Sequence, residues 1–152
     1  MGDGNGRSVL DREAVRAPRA GRDAGGVTCI HADRSVAEAV QRLRQSGGGA
    51  LIVTDGDGAE AAVVGLLTER DIWRALAARG PEVLGSRVWV VVEPDFPEID
   101  IAASIDARMR VFCDRKVDHI ALMDGFRVRA ILNIWDCASQ AAGAHDLPHA
   151  RA

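Results

Sequence analysis

The chain has 152 residues, of which 47% are apolar, and its formal net charge of −3 is spread over interspersed acids and bases. That length is enough for one domain with a hydrophobic core, and the charge argues against binding to a nucleic-acid backbone. No apolar run reaches the roughly 18–20 residues that a membrane-spanning helix needs. The three cysteines, Cys29, Cys113 and Cys137, are odd in number and far apart, which favours buried thiols over disulfides or a zinc site. We therefore expect a cytoplasmic protein that binds neither membranes nor nucleic acids.

Both ends of the chain have the composition of unfolded segments. Residues 1–26 are rich in Gly, Arg and Asp and lack a sustained apolar period, so we expect a disordered arm with at most a short helical turn near residues 10–15. Residues 141–152 are expected to form a flexible tail. His145 and His149 are four positions apart, but a proline lies between them and no cysteine or carboxylate cluster supports a metal site.

The stretch after the arm predicts a helix, a hairpin and a second helix. Ser35 and Glu38 form a capping-box pattern at the start of the first helix. The apolar face of this helix carries Val36, Val40 and Leu43. Two apolar runs, "ALIVTDGDG" and "AAVVGLL", then flank an Asp-Gly turn and predict antiparallel strands. Thr68 and Asp71 mark the start of the second helix, and Gly80 followed by proline predicts its end.

The same order of patterns appears a second time. Ser104 begins a helix whose apolar positions lie at the same offsets as in the first copy, namely Ile105, Met109 and Phe112. The runs "HIALMDGFR" and "VRAILN" form the second hairpin, whose loop is four residues shorter, and Asn133-x-x-Asp136 begins the last helix. A short extended segment precedes each copy: "VTCIH" in the first, and a stretch within residues 88–101 in the second. The apolar run "VWVVV" in that stretch predicts a buried strand.

These patterns predict an α+β fold made of two β-α-β-β-α repeats. One repeat alone would leave an apolar sheet face in water, so we expect the two sheets to pack together about a pseudo-twofold axis. The first repeat covers residues 27–84 and the second covers residues 85–140.

Three stretches, "VVGLLTERDIWRAL", "RKVDHIALMDG" and "RAILNIWDCAS", resemble the two halves of a tandem CBS (cystathionine-β-synthase-type) domain pair. The resemblance covers roughly residues 27–140. It implies a regulatory module rather than an enzyme, with clefts between the repeats that bind AMP, ADP, ATP or S-adenosylmethionine. It also implies a homodimer in which four CBS units form a flat disk, which would act on a regulated protein that the sequence does not identify.

The resemblance places a phosphate contact at Thr68 and a ribose contact at Asp71. A carboxylate accepts two O–H donors, and the positive end of the helix dipole favours an anion near Thr68. Gly65 would let a ligand approach the end of the strand. The structural alternative is that Thr68 and Asp71 only cap the helix, which by itself stabilises a fold by about 1 kcal/mol. We expect Thr68 to cap the helix and to bind as well.

The resemblance assigns less to the second cleft. Asp136 retains the ribose-type carboxylate, but Asn133 replaces Ser or Thr, so the helix cap is expected to survive and the phosphate contact to weaken. His119 matches a position that faces ligand phosphates in the family. It could equally be a half-buried histidine that is hydrogen-bonded to the backbone. The family's adenine slot corresponds to Thr28 to Ile30.

The remaining residues do not predict catalysis. The acids and His31 form no recognisable set of nucleophile, base and orienting group. The basic stretch around Arg108 and Arg110 is typical of a solvated helix face, with a contact to an acidic partner or to phosphates as the alternative. Two hypotheses follow: a sensor of an adenosine nucleotide, or a ligand-free dimerisation module in which Thr68 and Asp71 are structural caps.

Overall fold

The computed structural model describes residues 27–56 and 61–145. Within them the first repeat contains β1 (Cys29–His31), α1 (Val36–Ser46), β2 (Ala50–Asp55), β3 (Ala62–Thr68) and α2 (Glu69–Arg79). The second contains β4 (Glu98–Asp100), α3 (Ile105–Arg115), β5 (His119–Asp124), β6 (Arg127–Asn133) and α4 (Ile134–His145). Two short 3₁₀ turns, Pro81–Gly85 and Val88–Val90, lie between the repeats. The predicted α+β fold of two β-α-β-β-α repeats is confirmed.

Each repeat forms a three-stranded sheet with the same topology. The orders are β1-β2-β3 and β4-β5-β6, with the first pair parallel and the second antiparallel. Both hairpins have a register shift at the same place, between Val53 and Thr54 in β2 and between Leu122 and Met123 in β5. The β2–β3 connection spans residues 56–61, whereas residues 125–126 connect β5 to β6, in agreement with the predicted shorter loop.

The sheets place alternate side chains in different cores, as the period of two in a strand requires. In β2, Leu51 and Val53 pack against the helices of the first repeat. Ala50 and Ile52 point the other way and join a core shared by both sheets. The members of this shared core are Ala50, Ile52, Val63, Leu66, Phe96, Ala121, Met123 and Val128. The two repeats therefore pack sheet to sheet.

The helix starts follow the predicted caps. Ser35 accepts a hydrogen bond from the Glu38 backbone N–H, and Ser104 accepts one from that of Ala107. Gly80, at φ 78°, ends α2. Among the described residues, no helix combines the length and the apolar composition that crossing a membrane requires.

The prediction of a buried strand over "VWVVV" is wrong. Val88–Val90 is a 3₁₀ turn, and the strand that pairs with β5 lies further along the chain, at β4. The backbone N–H groups of Val88 and Trp89 donate to the carbonyls of Arg34 and Ala32 instead of joining a sheet. Val88 and Val92 are buried in the core of the first repeat, although we assigned them to the second.

The predictions for the two ends of the chain fall mainly outside the described residues. Residues 1–26, with the predicted arm and helical turn, are not described, and neither are residues 146–152, which include His149. Helix α4 continues to His145, so the first five residues of the predicted tail are helical. The boundary between the repeats at residues 84 and 85 stays a prediction.

Candidate ligand-binding cleft

A cleft of about 480 Å³ lies between the two repeats. One wall is the end of β3 and the start of α2, where Thr68, Asp71 and Trp73 lie. The other wall is the connection from α3 to β5, which includes Lys116 and His119. Residues 93–97 of the segment before β4 complete the lining with Glu93, Asp95, Phe96 and Pro97. Its volume lies within the range of about 300–1,000 Å³ that is typical of small-molecule sites.

Thr68 and Asp71 form a complete capping box at the start of α2. The Asp71 backbone N–H donates to Thr68 Oγ1 at 3.3 Å, and the Thr68 backbone N–H donates to Asp71 Oδ2 at 2.9 Å. The Thr68 hydroxyl also donates to Asp71 Oδ2, at 2.7 Å. The cap that the structural alternative predicted is therefore present, and all three bonds use the same carboxylate oxygen or the Thr68 hydroxyl.

The capping box leaves the second oxygen of Asp71 available. Within the described part of the chain, Oδ1 accepts no hydrogen bond, and its nearest ionic partner is Arg74 NH1 at 3.9 Å. The Asp71 side chain is 17% exposed and borders the cleft. In the Asp71 carboxylate, Oδ2 is therefore held by the capping box, while the lone pairs of Oδ1 can still accept hydrogen bonds.

Two hydrogen bonds join the repeats at the cleft. Arg70 on α2 donates to the carbonyl oxygen of Lys116, at 2.9 Å. His119 Nε2 lies 2.9 Å from the carbonyl oxygen of Gly48. A carbonyl oxygen only accepts, so Nε2 carries the proton and donates. These contacts link the second repeat to the first across the cleft.

His119 is therefore both hydrogen-bonded to the backbone and part of the cleft lining. The amide nitrogen of Asn133 lies 3.4 Å from Nε2. With Nε2 donating to Gly48, these two nitrogens are both donors and form no hydrogen bond with each other. Gly49, at φ 71°, allows this close approach, because an added Cβ there would lie 3.1 Å from the imidazole. A phosphate contact by His119 stays a prediction.

Asn133 and Asp136 do not line this cleft. The Asn133 side-chain oxygen accepts a hydrogen bond from the Trp135 backbone N–H at 2.7 Å, so the predicted cap of α4 is present. Asp136 is exposed, and within the described residues no hydrogen bond or ion pair reaches its carboxylate. The second helix start therefore lacks the reciprocal bond that holds Asp71.

Thr28 and Ile30 also lie away from this cleft. Ile30 is 1% exposed and its side chain packs in the core of the first repeat, so a contact with an adenine ring through this segment stays a prediction. Their place beside Asp71 is taken by Phe96 and Pro97, which precede β4 just as Val27 and Thr28 precede β1. The carbonyl oxygens of Thr28 and Pro97 accept equivalent bonds, from Ile52 and Ala121. The repeat offset between the two copies was the signal that could have identified Phe96 and Pro97.

Gly65 has a different role from the one predicted. A Cβ at this position would lie 2.4 Å from Val92 Cγ2 and 3.0 Å from the Glu93 carbonyl oxygen. The space therefore accommodates the segment that links the repeats rather than a ligand. Contacts at this distance are not tolerated without a shift of the linker.

Sequence reasoning missed several side chains of the cleft. Trp73, which is 71% exposed, lies at its rim. Arg115 donates to the Asp95 carboxylate and to its carbonyl oxygen, both at 3.2 Å. Arg115 and Asp95 are distant in sequence from Thr68, so only the packing of the two repeats reveals them, whereas Trp73 lies two residues after Asp71 on the same helix. Among the described residues, no group of three His, Cys, Asp or Glu side chains is arranged to hold a metal ion.

Comparisons with known proteins agree with this architecture. Residues 25–78 match the family model of the CBS domain. A CBS-domain containing protein from Agrobacterium tumefaciens is 27% identical with a TM-score of 0.70, over 76% of this chain and 84% of that chain. A CBS-domain protein from Thermoplasma acidophilum is 19% identical with a TM-score of 0.68, over 84% of this chain and 67% of that chain.

A hexameric CBS-CP12 protein from bloom-forming cyanobacteria is 18% identical with a TM-score of 0.68, over 84% of this chain and 72% of that chain. No curated protein matches the chain in sequence. The family match lies in the first repeat, the second repeat has the same sheet topology, and the similarity to the Agrobacterium structure extends over 76% of the chain. Residues 25–78 therefore match the CBS-domain family, and the described part of the chain has the fold of CBS-domain structures.

Proposed function

We propose that the chain is a regulatory module that binds an adenosine-containing ligand in the cleft around Thr68 and Asp71. The observation that supports it most is the state of the Asp71 carboxylate. Its Oδ2 completes the capping box, its Oδ1 accepts no hydrogen bond among the described residues, and the residue lines a cleft of about 480 Å³. A carboxylate oxygen that keeps its lone pairs suits the adjacent hydroxyls of a ribose.

The position of the cleft supports a regulatory role. Its walls come from both repeats, which are also joined there by the bonds of Arg70 and His119. A ligand that contacts both walls interacts differently with a closed and an opened arrangement of the repeats. Such a difference in affinity is what shifts a conformational equilibrium, and the shift is the signal that a partner protein would detect.

We propose binding rather than catalysis for this cleft. The Thr68 hydroxyl donates to a carboxylate that caps a helix, and the His119 imidazole donates to a backbone carbonyl. The Asp71 oxygen that accepts from this hydroxyl also accepts from the Thr68 backbone N–H, and no hydrogen bond among the described residues joins His119 to either residue, so they form no set of nucleophile, base and orienting group. Incubation with AMP or ATP followed by chromatography should return the nucleotide unchanged, and a product would contradict a purely regulatory role.

The second candidate function is a ligand-free assembly module. The capping box is complete without a ligand, and Trp73 and Trp135, on α2 and α4, are exposed. Tryptophan is enriched at protein interfaces relative to the rest of the surface, and one structural relative is hexameric. A homodimer with four CBS units in a disk is compatible with both candidates. Light scattering measured with and without AMP separates assembly from ligand-dependent assembly.

Thermal unfolding with a series of ligands tests the proposal. AMP, ADP, ATP or S-adenosylmethionine at a hundredfold excess over Kd should stabilise the protein by about 2.7 kcal/mol. The informative variant is Asp71→Asn, because an amide oxygen still caps α2 while a nitrogen donor replaces the free acceptor Oδ1. Asp136→Asn is the matched control in the second repeat. If no ligand shifts the melting curve of the unaltered protein, the assembly candidate replaces the sensor.

A further inference from the structure

The charges that line the cleft constrain the ligand. Four permanent cations face it, and they are Arg70, Arg74, Arg115 and Lys116. Five acids face it, and they are Glu69, Asp71, Glu93, Asp95 and Asp118. With His119 neutral, the lining therefore carries a net charge of −1. A site for a highly charged anion normally has the opposite balance.

Ion pairs within the cleft leave fewer cations than acids available to a ligand. Arg115 is bound to Asp95, with the guanidinium 3.2 Å from the carboxylate. Arg74 is the ionic neighbour of Asp71. The unpaired cations are then Arg70, which also donates to the Lys116 carbonyl, and Lys116 itself. Within the described residues, no ion pair holds Glu69, Glu93 or Asp118, so three unpaired acids face two unpaired cations.

The unpaired acids come from different parts of the lining. Glu69 is the first residue of α2, Glu93 belongs to the linker, and Asp118 immediately precedes β5. Acids therefore occur on both walls of the cleft and on the linker.

From this charge distribution we infer that the cleft selects an adenosine ligand with at most one phosphoryl group; the inference rests on the proposed function. AMP meets this rule, and so does S-adenosylmethionine, whose sulfonium is a cation. A phosphate monoester carries about −1.5 to −2 at neutral pH, which the start of α2 and two cations can hold. Each further phosphoryl group adds negative charge that the cleft does not neutralise.

Isothermal titration of the unaltered protein tests the inference. With EDTA present and low salt, affinity should decrease from AMP to ADP to ATP, by roughly tenfold or more over the series, as expected for uncompensated like charges near a surface. S-adenosylmethionine should bind at least as tightly as ATP. Raising the salt concentration should strengthen ATP binding, because salt screens repulsion. ATP binding equal to or tighter than AMP binding, with or without Mg²⁺, would overturn the inference and leave the proposed function intact. An absence of binding by every ligand would overturn both.

A double variant tests the cause. Glu93→Gln with Asp118→Asn removes two unpaired acids, and ATP affinity should rise by about three- to tenfold, with a smaller rise for AMP. The matched control is Asp106→Asn, an exposed acid on α3 outside the cleft, which should leave both affinities unchanged. An unchanged ATP affinity in the double variant, with an unaltered melting temperature, would show that these acids do not set the selectivity.

Discussion

The two repeats of this chain have the same topology, but their last helices begin differently: α2 starts with a complete capping box and α4 does not. Thr68 and Asp71 exchange hydrogen bonds in both directions, whereas Asn133 binds Trp135 and leaves Asp136 exposed. Both α2 and α4 therefore have a side-chain cap at their first turn. Only in α2 does the carboxylate also accept a hydrogen bond from the backbone N–H of the capping residue, and this bond holds Asp71 at the cleft. Site quality can therefore differ between repeats that fold alike.

The helix packed on the first repeat also buries larger apolar side chains than its counterpart in the second repeat. Helix α2 buries Ile72 and Ala75, and the equivalent positions of α4 are Cys137, which is buried, and Gln140, which is exposed. A thiol fills less volume than the side chain of isoleucine, so α4 has less apolar surface to bury. We infer that the first repeat contributes more to stability, and the variants below compare equivalent positions.

The largest difference in unfolding free energy is expected from a leucine in the last strand of each sheet, β3 and β6. Leu67 is fully buried, and its counterpart Leu132 is 8% exposed in a smaller core. Leu67→Ala should cost about 4 kcal/mol of unfolding free energy and Leu132→Ala about 2–3 kcal/mol, since the cost of a cavity grows with how little the site relaxes. Urea denaturation measures both. Equal costs, or a larger cost at Leu132, would contradict the ranking of the cores.

The next largest change in stability is expected at Gly65 in β3, where the segment that links the repeats packs against the strand. Gly65→Ala places a Cβ within 2.4 Å of Val92 Cγ2, so it should destabilise the protein by about 1–3 kcal/mol. The equivalent position in the second repeat is Ala130, which already accommodates a Cβ. Ala130→Gly should therefore cost only about 0.5–1 kcal/mol. A neutral Gly65→Ala would show that the linker moves freely at this point.

The helix caps should give a smaller contrast. Thr68→Ala removes the hydroxyl that both accepts from the Asp71 N–H and donates to its carboxylate, and it should cost about 1–2 kcal/mol. Asn133→Ala removes one side-chain bond and should cost about 0.5–1 kcal/mol. Thr68→Ser retains the hydroxyl and should stay close to the unaltered protein. The reverse order would mean that the Thr68 box contributes little to folding.

The smallest effect is a pH dependence from the second core. Burial raises the pKa of the Cys137 thiol, and the positive charge of Arg108 opposes part of the rise. Above the ordinary thiol pKa of about 8.5, the unfolded chain loses this proton while the folded chain keeps it, so stability falls as pH rises. Cys137→Ala should reduce that fall, and Cys113→Ala, at an exposed thiol, should not. Equal pH profiles for all three proteins would contradict the shift.

The sequence was sufficient for the fold because periodicity and caps are local. The helix faces, the two hairpins and the starts at Ser35, Thr68 and Ser104 all follow from spacings within a few residues. The strand predicted for the apolar run at Val88 was wrong because hydrophobicity indicates that a segment is buried but not which backbone conformation it adopts. Its backbone is paired with the loop after β1, a contact that no local pattern encodes.

The candidate site was only partly predictable for a related reason. Thr68 and Asp71 carry a local motif and were found, whereas Phe96, Glu93 and Arg115 reach the cleft only through the packing of one repeat on the other. Thr28 and Ile30 lie outside this cleft, and their contact with an adenine ring stays a prediction. Combining half of a site from one repeat with half from the other needs the three-dimensional arrangement, which spacing alone does not provide.

The central claim is that the carboxylate of Asp71, and not that of Asp136, holds the ligand. Titration of AMP into Asp71→Asn and Asp136→Asn tests it directly, since both variants remove one charge at equivalent positions. The account predicts at least a tenfold loss of affinity for Asp71→Asn, corresponding to about 1.4 kcal/mol or more, and unchanged affinity for Asp136→Asn. Loss of binding in Asp136→Asn with full binding in Asp71→Asn would contradict it.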